Sequence, residues 1–391
     1  TKGKAENNIF KAMGLNYIYV DEGNDIEELI SAFKSVKDIE KPVVVHLSTT
    51  KGSGFKPAEI NRERFHYGVP FDIETGEFKT YGNLQNVENY KNLTVDYLLN
   101  AIKNDKTVVV LNAGTPGAFR FSKEIREEMG KQYVDVGIAE EHAVAMSSGL
   151  AKNGAKPVFC VYSTFMQRTY DQLSHDLCLN NNPALILVYG ASIYEESDAT
   201  HLGIFDIPMI SNIPNLVYLA PTNKEEYFKM LDWGLNQMEH PVAIRVPVVD
   251  VVSTGEEDKT DYSILNKSKV TKKGKDVAIL ALSNFYNLGK EIADELGEVT
   301  LINPVYITGL DEELLEKLKE DHKLVITLED SVLDGGFGEK VSRFFGTSDI
   351  KVKNYGIKKS FPDRFVPKKF LLDNGISKKQ IVKDIKELLE K

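Results

Sequence analysis

The 391-residue chain is 42% hydrophobic, 9% aromatic and 27% charged, with 28 Gly and 14 Pro, which excludes disordered, collagen-like and disulfide-scaffold classes. Its 48 Lys and Arg against 58 Asp and Glu leave a net charge of −10, which disfavours nonspecific binding to nucleic acid or to an anionic membrane. No apolar run approaches the roughly 18 residues of a membrane span. Cys160 and Cys178 lack CxxC spacing and lie in apolar or amide-rich surroundings, the pattern of buried reduced thiols in a reducing compartment. The opening TKGKAENNIFKAMG has neither a signal-peptide pattern nor an initiator Met, so a soluble, cytoplasmic fragment is expected.

Short β-branched runs alternate with amphipathic helical stretches. The predicted strands are 43–47, 108–111, 134–136, 158–161, 185–188, 216–219 and 242–246, then 277–280, 299–302, 324–328 and 350–352. Runs apolar on both faces and separated by helices predict an α/β fold of doubly wound, mostly parallel sheets. Polar, turn-rich residues 71–86 and the charged stretch 253–275 read as connections. The expected organisation is 1–85, 86–255 and 265–391. The first piece offers one clear strand and one helix, too little to bury a sheet, and is expected to complete a domain whose earlier part lies elsewhere.

Two constellations can carry chemistry. In Asp135-Val-Gly-Ile-Ala-Glu140-Glu-His-Ala-Val, a strand ends near Val136, Gly137 allows a tight turn, and Glu140 falls in the first turn of a helix. Glu140 reads either as a carboxylate favoured by the helix dipole or as a group that protonates a heterocycle nitrogen, and spacing alone leaves both open. In Tyr162-Ser-Thr-Phe165-Met-Gln-Arg168-Thr-Tyr-Asp-Gln, two rings and a guanidinium follow another strand end. The bland alternative there is a helix start with core aromatics. The Gly-rich run Asp334–Gly338 lacks the phosphate-loop spacings and predicts a tight turn before a helix.

The segments GLNYIYVDEGNDIEELISAFK, TTKGSGFKPAE, RFHYGVP, YVDVGIAEEHAV, YSTFMQRTYDQLSHD and LEDSVLDGGFGEKV resemble, in order, those of 1-deoxy-D-xylulose-5-phosphate synthases, a branch of the transketolase-like thiamine-diphosphate enzymes. The resemblance implies a diphosphate- and Mg²⁺-binding domain, a pyrimidine-binding domain and a transketolase-type C-terminal domain. Residues 1–85 match only the end of the first. The family's GDG metal motif does not occur, so the resemblance implies a metal site on an N-terminal half supplied as a separate fragment or subunit. It also implies a homodimer, thiamine diphosphate and Mg²⁺ as cofactors, and a small keto acid and an aldehyde as substrates.

Residue by residue, Glu140 matches the cofactor-activating glutamate, whose hydrogen bond to the pyrimidine sets up proton transfer. Phe165 matches the ring stacked on the pyrimidine, and Ile138, Tyr162 and Arg168 match neighbours lining that pocket. His66 matches a proton-carrying histidine near the diphosphate. His201 matches a substrate-contacting histidine, with Ser197 and Asp198 beside it. Departures stand out. The family reads Asp-Gly-Pro-Thr-His where this chain reads Ser197-Asp-Ala-Thr-His201. Gly190 and Val248 occupy the positions of two arginines that hold the acceptor phosphate, so Arg168, Arg245 or a lysine would have to compensate. The expected activity is pyruvate decarboxylation with transfer to glyceraldehyde 3-phosphate. The alternatives are a different aldehyde acceptor or ketose donor, and a non-catalytic paralogue.

Overall fold

The computed structural model describes residues 8–66, 70–78, 88–195 and 197–390. The expected 85/86 boundary, the first seven residues and positions 67–69 of the His66 loop lie outside them. The chain divides into two compact units, Thr1–Val87 and Glu88–Lys391.

In the first unit, β1 (Asn16–Val20) and β2 (Val43–Leu47) pair in parallel through the crossover helix Ile26–Val36. The second of these strands was expected and the first was not. β1 is recognisable by what its tyrosines do: the Tyr17 hydroxyl bonds His46 Nδ1 at 2.7 Å, and the Tyr19 ring packs edge-on to the same imidazole. The helix starts where Asp25 accepts the Glu28 N–H at 3.0 Å. Its Ile26, Ile30 and Phe33 share one face by i, i+4, i+7 spacing, and all three are exposed. A two-stranded sheet cannot bury that face, as the length of the piece foretold.

The second unit carries two sheets. The first is wholly parallel and contains β3 (Val108–Asn112), β4 (Tyr133–Asp135), β5 (Lys156–Tyr162), β6 (Leu185–Tyr189), β7 (Val217–Leu219) and β8 (Val242–Arg245), in the order β4-β3-β5-β6-β8-β7. The second contains β9 (Lys269–Lys272), β10 (Asp276–Ala281), β11 (Thr300–Asn303), β12 (His322–Val332) and β13 (Lys351–Ile357), in the order β13-β12-β10-β11-β9. Only β9 runs antiparallel there, against β11. Every residue of β6 and β8 is buried, as the two-faced apolar runs require.

The charged stretch 253–275 is not a loose connection. Tyr262 is buried, and Lys269 on β9 bridges Glu226 at 2.8 Å and Asp258 at 2.9 Å. Lysines blunt the free edge of a strand, which is why this one resembles a solvated linker. One hydrophobic core joins the sheets, with Leu111, Val161 and Val188 from the first and Leu280, Ile302 and Val325 from the second. Cys160 and Cys178 are buried free thiols within the unit. Among the described residues, no helix is long and apolar enough to cross a membrane.

Candidate active site

The site of the second unit lies where strands of the parallel sheet end. Asp135, the last residue of β4, organises the turn: its carboxylate accepts the N–H groups of Gly114 and Gly137, each at 2.9 Å, and the Asn112 amide at 2.7 Å. Gly137 has φ +73°, the left-handed conformation that the tight turn needs. The helix Glu140–Lys152 then begins, with Glu140 as its first residue. Glu140 is only 3% exposed, and its Oε2 is buried without a hydrogen-bond partner. Ile138, two residues earlier, is 85% exposed. An apolar side chain on the surface thus precedes a buried carboxylate with an unmet lone pair. His142, on the same helix, is exposed.

Helix Glu140–Lys152 packs on the segment that leaves β5, and Ala143, Val144 and Met166 belong to one hydrophobic core. That segment is a 3₁₀ run, Ser163–Thr169, followed by a π-helix, Gln172–Cys178. In a 3₁₀ run, positions three apart eclipse, so Phe165 and Arg168 share one side of it, with Tyr162 at the strand end just before. The rings of Tyr162 and Phe165 meet edge-on at 6.3 Å, and Phe165 meets the His201 imidazole edge-on at 5.6 Å. Arg168 is exposed and has no ion pair among the described residues.

His201 Nδ1 lies 2.7 Å from the Thr200 hydroxyl and 3.2 Å from Asp198 Oδ1. The Thr200 hydroxyl also donates to Asp198, and this bond, more than the contact with His201, pulls the Asp198 carboxyl down to about 2. The loop is held from the second sheet's side: Ser197 O accepts the Arg364 N–H at 2.6 Å, and Asp363 accepts the Ala199 N–H at 3.1 Å. Phe165, Tyr162, His201 and Asp198 are therefore brought together. Ser197 contributes its main chain, and its contact is the C-terminal loop. His66 belongs to the first unit, where it is exposed beside the Lys51 ammonium.

Two residues that sequence reasoning missed join this cluster. The Tyr162 hydroxyl donates to Glu195 Oε2 at 3.1 Å, and Lys91 reaches the same oxygen at 3.0 Å. Lys91 lies on the helix Tyr90–Asn104, and nothing in the local pattern marks either residue. At Gly190, φ is +63°, and an added Cβ would lie 2.4 Å from the Tyr162 ring. Glycine is what permits that ring position. Arg245 cannot compensate for an absent cation at 190 or 248. It is fully buried, with Nε on Asp206 at 2.8 Å and Nη1 on Asp330. The Gly-rich run Asp334–Gly338 is a turn into the helix Phe337–Phe345, whose first N–H groups are taken by the buried Glu329 carboxyl. Among the described residues, no group of three or more His, Cys, Asp or Glu is placed to hold a metal ion.

Three family descriptions match the chain: 1-deoxy-D-xylulose-5-phosphate synthase over residues 1–49, the transketolase pyrimidine-binding domain over 89–251, and the transketolase C-terminal domain over 266–381. A 1-deoxy-D-xylulose-5-phosphate synthase of Acaryochloris marina is 33% identical over 98% of this chain and 61% of its own length. One from Halothermothrix orenii is 36% identical over 92% of this chain and 56% of its own. One from Clostridium tetani is 35% identical over 97% and 61%. The chain thus spans about 60% of the length of these relatives. Among solved structures, a split gene transketolase described as an inactive β4 tetramer superposes with TM-score 0.65 at 20% identity, covering 76% of this chain and 97% of that one. A transketolase of Campylobacter jejuni gives 0.64 at 17% identity, covering 98% and 70%. The chain carries the pyrimidine-binding and C-terminal domains of the transketolase family, preceded by a stretch that matches 1-deoxy-D-xylulose-5-phosphate synthases.

Proposed function

We propose that the chain supplies the pyrimidine-binding and C-terminal portions of a thiamine-diphosphate-dependent transferase, one that decarboxylates a 2-keto acid such as pyruvate and passes its two-carbon unit to an aldehyde. The observation that carries this reading is Glu140, with a buried carboxylate oxygen that nothing in the described chain satisfies. Leaving such an oxygen unpaired costs about 1–3 kcal/mol or more, and a ring nitrogen bearing a proton would recover it. The exposed Ile138 and the Phe165 ring add the apolar surface that an aminopyrimidine needs. The residues fit the group.

Thiamine diphosphate, when bound, supplies a nucleophilic carbon and an electron sink for decarboxylation. Glu140 holds and exchanges the proton at its Oε2. Phe165 and Tyr162 wall the pocket and exclude water. Arg168, exposed on the same side of the 3₁₀ run as Phe165, takes the carboxylate of the keto acid. His201 is oriented at Nδ1 by Asp198 and Thr200 and presents Nε2 to move a proton to or from the acceptor oxygen. His66, in the first unit, carries over from the family match only as a proton carrier near the diphosphate. The diphosphate and Mg²⁺ are held by residues beyond these 391, on an N-terminal half, and the working assembly is a homodimer. The split gene neighbour supports a division of this fold between polypeptides.

The test is Glu140→Gln, assembled with that half, thiamine diphosphate and Mg²⁺. Cofactor affinity should stay within a few-fold, while exchange of the cofactor's C2 proton slows by about 10² or more. Normal exchange would remove Glu140 from its role. If the parent assembly consumes no pyruvate with any aldehyde, a non-catalytic paralogue becomes the better reading.

A further inference from the structure

The acceptor end of the site rests on the two-carbon-transfer reading above, and its chemistry is written in Lys91, Glu195 and Tyr162. The two charged side chains are about one-fifth exposed, at 22% and 20%. Glu195 Oε2 receives both the Lys91 ammonium at 3.0 Å and the Tyr162 hydroxyl at 3.1 Å. Lys91 Nζ also stands 3.4 Å from that hydroxyl and 5.6 Å from the centre of the ring. Tyr162 in turn touches Phe165, and Phe165 touches His201. The ion pair is therefore one ring removed from the rings assigned to the reacting carbons.

We infer that this Lys91–Glu195 pair selects an acceptor aldehyde with an uncharged, hydroxyl-bearing tail and turns away one whose tail is a phosphate monoester. A phosphate reaching the Tyr162 hydroxyl meets the Glu195 carboxylate on the same group. If Lys91 swings to the phosphate, it leaves a half-buried carboxylate without its cation, facing a second anion. A sugar-like hydroxyl disturbs nothing, because it donates to Glu195 and accepts from Lys91 while the pair stays closed.

Two arginines of this unit are already engaged. Arg245 is enclosed by Asp206 and Asp330 in the core. Arg364 stands 3.8 Å from Asp363, which holds the Ala199 N–H. In the reading above, Arg168 takes the carboxylate of the keto acid. Position 190 cannot add another while Tyr162 lies where it does, because a Cβ there meets the ring at 2.4 Å.

The experiment compares D-glyceraldehyde with its 3-phosphate as acceptors for pyruvate, using the assembled holoenzyme, in the parent and in Glu195→Gln. The parent should show a kcat/KM at least about tenfold higher for the unphosphorylated aldehyde, and Glu195→Gln should move the ratio toward the phosphate ester by about 10- to 100-fold. Lys91→Met should lower kcat/KM for the unphosphorylated aldehyde and give no gain for the ester. Calorimetric titration with the unreactive glycerol 3-phosphate needs no turnover, and Glu195→Gln should bind it at least about tenfold more tightly than the parent. A parent that prefers the ester, with a ratio unmoved by Glu195→Gln, overturns the inference. So does a preference for the ester that Arg168→Met abolishes, which would place the tail on Arg168. Loss of all pyruvate consumption would instead refute the transferase reading, and the titration would still decide the role of Glu195.

Discussion

Arg245→Met removes the charge at the centre of the second unit while nearly preserving side-chain length. Arg245 donates to Asp206 from Nε at 2.8 Å and from Nη2 at 3.3 Å, and to Asp330 from Nη1. Burial opposes its charge, but the two aspartates more than reverse that and push its pKa further up. Asp206 then keeps only the Tyr218 hydroxyl at 2.5 Å, and Asp330 only the Asn284 amide at 2.8 Å. Breaking a buried pair typically costs about 3–5 kcal/mol, because the remaining charge is left uncompensated. Two carboxylates share this arginine, so the upper part of that range is expected at pH 7.5. Urea unfolding followed by far-ultraviolet circular dichroism measures the loss, with an unchanged m-value as the check on compactness. Adding Asp206→Asn and Asp330→Asn should recover at least half of the loss. A cost below about 1 kcal/mol would refute the argument and would return Arg245 to consideration as a substrate ligand.

Glu329 gives a pH effect. Burial lifts its carboxyl to about 7 against the opposing pull of the Gly338 and Phe337 N–H groups. The folded state therefore holds an extra proton between the ordinary value and about 7, and stability falls as pH rises through that window. Between pH 5 and 8, the stability of the parent minus that of Glu329→Gln should decline by roughly 2–3 kcal/mol in parallel denaturation series. Cys160 and Cys178 are buried with thiol pKa values pushed up, that of Cys178 to about 12, so neither should react with an aromatic disulfide reagent at pH 8 until denaturant is added. Rapid labelling of the native chain would contradict that packing. Gly190→Ala places a Cβ against the Tyr162 ring at a left-handed φ, so thermal unfolding should show a loss of about 1–3 kcal/mol.

Legibility in the sequence followed burial. All eleven strands expected from apolar runs are present, most plainly β5, β6 and β8, which are covered on both faces and apolar on both. The two that escaped are those whose residues serve something else. β1 alternates tyrosines whose hydroxyl and ring find His46, twenty-nine positions after Tyr17. β9 is an edge with a lysine at each end, one of them bridging Glu226 and Asp258. Tyr162 and Phe165 were legible as neighbours because they share one motif after a strand end, whereas His201 and Asp198 entered only through the family resemblance. Lys91 and Glu195 were not legible, since their meeting depends on a helix 104 positions away from the loop. Arg245 misled for the same reason: its partner Asp330 is 85 positions distant, in the other sheet.

The buried charges of the second unit separate what holds the fold from what awaits a partner. Asp206, Arg245 and Asp330 form a closed set, with every charge met and further donors from Tyr218 and Asn284. Glu329 is met by two backbone N–H groups, and Gly336 keeps that space free, since a Cβ there would lie 2.7 Å from both carboxylate oxygens. Glu226 is met by Lys269, Asn303 and the Thr222 N–H. Among the described residues, Glu140 is the one carboxylate with a buried oxygen left without a partner. Folding alone gives no reason to place a carboxylate there, because an apolar residue of similar size would avoid the desolvation cost. The exception stands at a strand end, on a turn held by Asp135, and its helix packs on the segment that carries Phe165. That combination is what a site for a protonated heterocycle requires, and it makes Glu140, rather than any of the better-connected acids, the residue on which the proposed chemistry turns.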